Sequence, residues 1–219
     1  PGNWWDGSER VAIASASRTA LACPFCEKRK SALSPYQMDG EHSRGGEQEG
    51  VLNDLVIDAV HRIVTDQSRI THAYVRRLQD AGISKEHYVE LVGVVVTCLS
   101  IDEFNRALGL PLEPLPEPQP GRPDGYRPEA IEEGVGFVPM LRSNGAVGPE
   151  ADLWGKVAPN VVRALSLVPD AVRSRMRIAN VQYAMGNLLD FSADTGRAID
   201  RAQMELVAGR VSAINECFY

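Results

Sequence analysis

Apolar residues recur along most of this chain at intervals of three and four residues, the spacing of a helix with one buried face. Strict alternation of apolar and polar residues, which is typical of a half-buried strand, is scarce. The stretch from Ser84 to about residue 108 is apolar almost all round, as expected for a helix buried on all sides. The pattern predicts an all-α fold, with helices over residues 8–21, 24–33, 50–64, 66–80, 84–108, 153–167, 169–185 and 201–214.

A proline-rich segment separates two helical regions. Prolines at positions 111, 114, 116, 118, 120 and 123 favour an extended polyproline II conformation. The chain remains rich in Gly and Pro up to Pro149. The pattern therefore divides the chain into a first helical region of residues 1–110, a linker of residues 111–149 and a second helical region of residues 150–219.

Composition and charge narrow the classes of function. With 44% hydrophobic and 24% charged residues, the chain resembles an ordinary globular protein with a substantial core. Its net charge of -6 disfavours nucleic acid as a partner. The longest apolar run, residues 91–101, is too short to cross a bilayer, so no membrane association is expected. A chain of this size does not need disulfides from its four cysteines, which favours a cytoplasmic location.

The sequence Cys23-Pro24-Phe25-Cys26 is the strongest chemical signal. A C-x-x-C pair in a reducing compartment is usually redox-active or metal-binding. Proline is favoured in the first turn of a helix, which places Cys23 near the N-cap, where the helix dipole stabilises a thiolate. Basic residues at positions 28–30 add positive charge in the same helix. A disulfide that staples two helices, or an unused reduced pair, is an equally open interpretation.

A zinc site is the less favoured interpretation of the same pair. Zinc needs four ligands, and the sequence has neither a second C-x-x-C nor an H-x-x-x-H motif. His42 and His61 could contribute only if the tertiary fold happened to carry them to the cysteines.

Parts of both helical regions share residues with one known family. In the second region, residues 164–177 read ALSLVPDAVRSRMR and residues 200–219 read DRAQMELVAGRVSAINECFY, with Glu205 twelve residues before Cys217. In the first region the shared residues are Gly82, Ser84, Glu86, Val89, Glu90, Leu91, Asn105, Arg106, Leu108 and Gly109. Together these segments resemble the carboxymuconolactone decarboxylase and alkylhydroperoxidase D-like family.

The resemblance implies two tandem, incomplete repeats of an alkylhydroperoxidase D-like helical bundle. Residues 1–110 match the redox-motif helix and the trailing helices, and residues 150–219 match the leading helices and half of the motif. The offset between the repeats is 194 residues, from Cys23 to Cys217. The resemblance places the second cysteine of the later motif directly after Tyr219. Family members bury long helices between subunits, so a homo-oligomer is also implied.

The same resemblance implies a thiol-dependent oxidoreductase that reduces a peroxide substrate, is recharged by a dithiol reductant protein and uses no cofactor. Its candidate site residues are Cys26, Cys23, Lys30, Glu205 and Cys217. Lys30 stands where the family has a proton-relaying histidine, and Val11 replaces its glutamate. The family's second cysteine meets the peroxide, so Cys26 is expected to attack and Cys23 to resolve. Lys30 would stabilise the Cys26 thiolate from the same helix face but relay protons poorly, so turnover should be slow.

Two other functions remain open at this point. One is a non-catalytic oligomeric or partner-binding module that kept the fold and lost the proton relay. The other is lyase chemistry of the carboxymuconolactone decarboxylase type, which the family also contains and which does not need the cysteines.

Overall fold

The computed structural model describes residues 1–183, 194 and 196–217, and these are mostly helical, as predicted. In chain order the helices are α1 (Gly7–Ala20), α2 (Pro24–Ser31), α3 (Asp54–Thr65), α4 (His72–Asp80), α5 (Lys85–Ala107), α6 (Asn160–Arg163), α7 (Pro169–Gln182) and α8 (Arg201–Ile214). Single 3₁₀ turns lie at Pro35–Gln37, Gly46–Gln48, Gln67–Arg69 and Gly148–Glu150. Strands β1 (Ile131–Glu132) and β2 (Met140–Leu141) form a small antiparallel ladder.

Several helix starts follow from capping residues that are adjacent in the sequence. The Ser84 side chain caps α5, as predicted. Asp200 and Gln203 form the predicted capping box of α8. A capping box of the same kind, between Asp6 and Glu9, begins α1. These ends are therefore set by local hydrogen bonds.

The helix predicted over residues 153–167 is wrong. The structure has only the short helix α6 in this stretch, preceded by turns. Pro159 has no amide hydrogen to donate inside a helix, and Gly155 is a poor helix former, so the chain breaks before α6. The next predicted helix begins at Pro169 and ends at Gln182. Met185, where it was expected to end, lies outside the described residues.

The first core lies where α1 and α3 pack against α5. Ala12 and Ala16 of α1 are fully buried, and such small side chains let the helices approach closely. Leu91 and Val95 come from α5, and the partner helices α3 and α4 contribute Val56, Ile57, Val60, Val75 and Leu78. This core holds α3 in place, and α2 packs against α3.

The proline-rich segment lies along the N-terminal residues. Residues 111–128 contain neither helix nor strand. The Asn3 side chain donates a hydrogen bond to Asp124 at 3.0 Å. A Cβ atom on Gly7 would lie only 2.2 Å from the Gln119 carbonyl oxygen, so this close approach requires glycine. The segment is therefore packed against the first region over part of its length.

A second core joins α5 to α7. It contains Val89 of α5 together with Leu141, Leu165, Leu167, Val168 and Val172. A Cβ atom on Gly93 would lie 2.8 Å from Ala171, so glycine permits this close packing. The side of α5 left uncovered by the neighbouring helices exposes Val96, Ile101 and Phe104, so the expected burial on all sides is met only in part. Neither α5 nor any other helix within the described ranges is long and apolar enough to cross a membrane.

Candidate functional site

Cys23 and Cys26 lie one turn apart at the start of α2. Cys23 is the N-cap of this helix and Pro24 occupies its first turn, which confirms the predicted position. Only 3% of Cys23 and 2% of Cys26 is exposed, and neither forms a disulfide. The pair is therefore a dithiol that is screened from solvent.

Two histidines face these sulfur atoms. His42 comes from the loop between α2 and α3, and its Nδ1 lies 3.9 Å from Cys23 Sγ and 3.5 Å from Cys26 Sγ. His61 comes from α3, and its Nδ1 lies 3.3 Å from Cys26 Sγ. The ligand atoms of all four residues lie within 4.8 Å of one another. We call Cys23, Cys26, His42 and His61 the Cys2His2 cluster.

Asp58 of α3 anchors the outer side of this cluster. Its Oδ1 lies 3.1 Å from His42 Nε2, so the imidazole ring is held between a carboxylate and the two sulfur atoms. Arg29 and Arg62 form ion pairs with the same carboxylate, and Tyr74 donates its hydroxyl to it at 2.9 Å. Burial alone would raise the pKa of Asp58, but His42 and the two arginines hold that pKa well below its usual range. The carboxylate is therefore charged.

Hydrogen bonds make the two sulfur atoms unequal. The Ser43 amide donates to Cys23 Sγ at 3.4 Å, and Arg29 Nη2 donates to Cys26 Sγ at 3.7 Å. Burial raises the pKa of Cys23, but the amides of Ser43 and Cys26 and the His42 ring outweigh it and lower the pKa to about 6. At Cys26 burial dominates and raises the pKa to about 11, despite the opposing charge of Arg29.

His61 is a buried, neutral imidazole. Burial lowers its pKa to about 3, and the nearby His42 and Arg29 act in the same direction. Its Nε2 has no hydrogen-bond partner among the residues that the structure describes. A neutral ring of this kind offers one nitrogen lone pair, which can accept a proton or bind a metal.

A cavity of about 610 Å³ adjoins the cluster. Its wall includes Phe25, His42 and Asp58, together with Arg62 and Arg77. His42 thus contacts both sulfur atoms on one side and lines the cavity on the other. It connects the buried dithiol with a space large enough for a small molecule.

Lys30 was the expected cation of the site, but the residue beside Cys26 is Arg29. Lys30 is exposed, whereas Arg29 is fully buried against the Cys26 sulfur and the Asp58 carboxylate. Both residues follow Cys26 by about one helical turn, so sequence spacing alone does not separate them. The packing of α2 on α3 decides which of the two turns inward.

Glu205 and Cys217 are not part of the Cys2His2 cluster. Glu205 accepts a hydrogen bond from the Tyr183 hydroxyl at 2.9 Å and pairs with Arg201. Cys217 follows the end of α8 and is exposed. Tyr219, after which the resemblance expects a further cysteine, lies outside the described residues.

The sequence pointed to His42 and His61 only as ligands that the fold would have to supply, and it did not single out Asp58. His61 does carry a signal, because it follows Ile57 by four residues and so lies on the buried stripe of α3. His42 lies in a loop of polar residues and glycine, where no periodicity indicates a direction.

This chain has no recognisable relative among known families, curated proteins or solved structures. The resemblance of its segments to a known family therefore remains an interpretation, and the chemistry follows from the cluster itself.

Proposed function

We propose that this protein is a thiol-dependent oxidoreductase that reduces alkyl hydroperoxides with the dithiol of Cys23 and Cys26. The position of His42 carries this proposal, because its ring contacts both sulfur atoms, is held by Asp58 and lines the adjoining cavity. Thiol chemistry on a peroxide needs a group that moves protons, and imidazole is the side chain most often used. His42 supplies the relay for which the sequence offered only Lys30.

The reaction balances in two chemical steps and one recharging step. A thiolate attacks the terminal oxygen of the hydroperoxide, the O–O bond breaks, and the protein keeps a sulfenic acid while His42 protonates the departing alkoxide. The second thiol attacks the sulfenic sulfur, which forms the disulfide and releases water. A partner dithiol protein then reduces this disulfide by exchange and is itself oxidised.

Cys23 is the better candidate for the attacking sulfur. It lies at the N-cap position of α2, where the helix dipole favours negative charge, and it accepts a hydrogen bond from the Ser43 amide; both features stabilise a thiolate. The resemblance favours Cys26, but the cation on which that choice relied, Lys30, is exposed. We therefore assign attack to Cys23 and resolution to Cys26, the reverse of the expectation from sequence.

The test is stopped-flow oxidation of the reduced protein by tert-butyl hydroperoxide, with dimedone to trap sulfenic acid. Cys23→Ser should abolish the first oxidation, and Cys26→Ser should stop at the sulfenic acid. His42→Gln should slow the reaction by about 100-fold, because the proton relay is lost. Cys98→Ser and His72→Gln remove the same residue types outside the cluster and should react like the wild type.

Two results would change this proposal. A wild-type rate no higher than that of a free thiol rejects the oxidoreductase. Loss of all reaction in Cys26→Ser, with sulfenic acid in Cys23→Ser, returns the attack to Cys26.

An oligomeric or partner-binding module is the second candidate, and the surface of α8 favours it. Four of its apolar side chains are more than half exposed: Leu206, Val207, Val211 and Ile214. Exposed apolar residues grouped on one surface often mark a contact site. Light scattering after size exclusion tests whether the chain forms homo-oligomers, and a monomer at every concentration counts against self-association.

A further inference from the structure

We propose that the Cys2His2 cluster binds one Zn²⁺ ion through its two Sγ and two Nδ1 atoms. This inference goes beyond peroxide reduction and rests on the cluster geometry alone. It concerns all four residues, including His61, which the proposed redox cycle does not use.

The distances within the cluster match a tetrahedral zinc site. With Zn–S bonds of about 2.3 Å and Zn–N bonds of about 2.0 Å, tetrahedral angles place sulfur and nitrogen ligands about 3.5 Å apart. The observed separations are 3.3 Å from Cys26 Sγ to His61 Nδ1, 3.5 Å from Cys26 Sγ to His42 Nδ1 and 3.9 Å from Cys23 Sγ to His42 Nδ1. The ligand atoms of all four residues lie within 4.8 Å of one another, so a single ion can be shared by all of them.

The donor atoms select the kind of metal. Two sulfur and two imidazole ligands in a tetrahedron are typical of Zn²⁺, whereas Mg²⁺ and Ca²⁺ prefer oxygen. A two-iron cluster with the same four ligands holds its cysteines on one iron and its histidines on the other. Cys26 and His61 are in direct contact here, so they belong to the same ion.

Outer residues hold the ligands in orientations that suit metal binding. The Nε2 of His42 faces the Asp58 carboxylate at 3.1 Å, which fixes the ring with Nδ1 towards the sulfur atoms. A carboxylate behind a ligating histidine is a usual outer contact of zinc sites. The Ser43 amide and the Arg29 guanidinium donate to the two sulfur atoms, and N–H donors of this kind stabilise bound thiolates.

The enclosure of the cluster indicates a structural ion rather than a catalytic one. Both cysteines and His61 are buried, and the side chain of His42 is only 9% exposed. Structural zinc sites are closed by four protein ligands, whereas catalytic sites keep one position open. The ligands come from α2, α3 and the loop between them, so the ion ties that loop to the two helices.

Bound zinc and the disulfide exclude each other, since each needs both sulfur atoms. One alkyl hydroperoxide and two protons convert the zinc dithiolate into the disulfide, free Zn²⁺, an alcohol and water. The bound ion therefore keeps both cysteines in the thiolate form. Oxidation releases one zinc ion for each disulfide that forms. This consequence rests on the proposed function, whereas binding itself does not.

The test of binding uses the full chain, reduced, stripped with a chelator and titrated with Zn²⁺ alone. Elemental analysis should find one zinc per chain. Co²⁺ in place of zinc should give the visible bands of a tetrahedral ion and the near-ultraviolet charge transfer of a thiolate complex. Cys26→Ser and His61→Gln should each weaken zinc binding by more than about 100-fold.

Controls keep the result interpretable if a ligand variant fails to fold. Cys217→Ser and His72→Gln change exposed residues of the same types and should bind zinc like the wild type. The wild-type Co²⁺ spectrum decides without any variant: absence of thiolate charge transfer, or the weak bands of a six-coordinate ion, overturns the proposal. So does a wild-type chain that retains no zinc.

Peroxide reduction is scored separately on metal-free protein. A chain that reduces peroxide but never binds zinc refutes the metal site and leaves the oxidoreductase in place. A chain that binds zinc and is inert to peroxide after stripping supports the metal site and refutes the oxidoreductase.

Discussion

The segments around α1 and α8 share their local design but lie in very different surroundings. Both helices have 14 residues, and both begin with a capping box, at Asp6 and at Asp200. Each helix is followed after a short turn by a cysteine, Cys23 or Cys217. The offset is 194 residues both between the capping residues and between the cysteines.

The difference between the two segments lies in tertiary packing. α1 buries most of one face against α3 and α5, whereas the buried residues of α8 are Arg201 and Met204. Cys23 is buried beside two histidines, and Cys217 is exposed. Both helices therefore begin with the same local cap, but only Cys23 lies near the imidazole and carboxylate groups of α3 and the loop before it.

The largest expected effect comes from removing the Asp58 carboxylate, which holds His42 and Arg29 beside Cys23 and Cys26. Asp58→Asn should lower the free energy of unfolding by about 3 kcal/mol, because the buried guanidinium groups of Arg29 and Arg62 lose the carboxylate that pairs with both. Asp54→Asn on the same helix is the matched control. Its side chain is 94% exposed, so it should cost less than about 1 kcal/mol. Urea unfolding measures the free energy of unfolding of both variants. An equal decrease in the two would contradict the anchoring role of Asp58.

The second largest effect is expected from zinc, which should stabilise the part of the fold around the Cys2His2 cluster and leave α8 unchanged. At a free zinc concentration 100-fold above Kd, binding stabilises the folded state by about 2.7 kcal/mol. Hydrogen exchange should therefore slow in α2, α3 and their connecting loop when zinc is added. Amides of α8 should not respond, because it contributes no ligand to the cluster. A matching change in α8 would show that the two segments are energetically coupled.

The features of this fold that could be predicted from the sequence are those that neighbouring residues decide. Ser84, Asp200 and the proline after Cys23 each act on their own helix end, so those starts could be predicted. The site could be predicted only in part, since the C-x-x-C is local but the approach of His42 and His61 depends on how α2, α3 and their loop pack. The break within residues 153–167 is local, since it follows from Gly155 and Pro159, but the apolar periodicity of this stretch hides it.

The contrast in burial should also appear in thiol reactivity. On reduced, metal-free protein, iodoacetamide should modify the exposed Cys217 at least about 30-fold faster than Cys26, because Cys26 requires an opening that costs about 2 kcal/mol or more and burial raises its pKa to about 11. Peptide mass spectrometry over time reads both rates in one sample. In denaturant the two cysteines should react alike, which controls for intrinsic differences. Rapid modification of Cys26 in the folded protein would mean that the cluster is open to solvent.

The smallest effect tests the shared capping box directly. Loss of a capping side chain costs about 1 kcal/mol, so Asp6→Ala should lower the free energy of unfolding by that amount because α1 belongs to the first core. Asp200→Ala removes the same hydrogen bond from α8, yet α8 buries little, so the global value should not change. Only hydrogen exchange in the first turn of α8 should become faster. Asparagine retains the cap, so Asp6→Asn and Asp200→Asn should behave nearly like the wild type. If Asp200→Ala destabilises the whole protein as much as Asp6→Ala does, the two helices unfold together, and the contrast between a packed helix α1 and a weakly packed helix α8 is wrong.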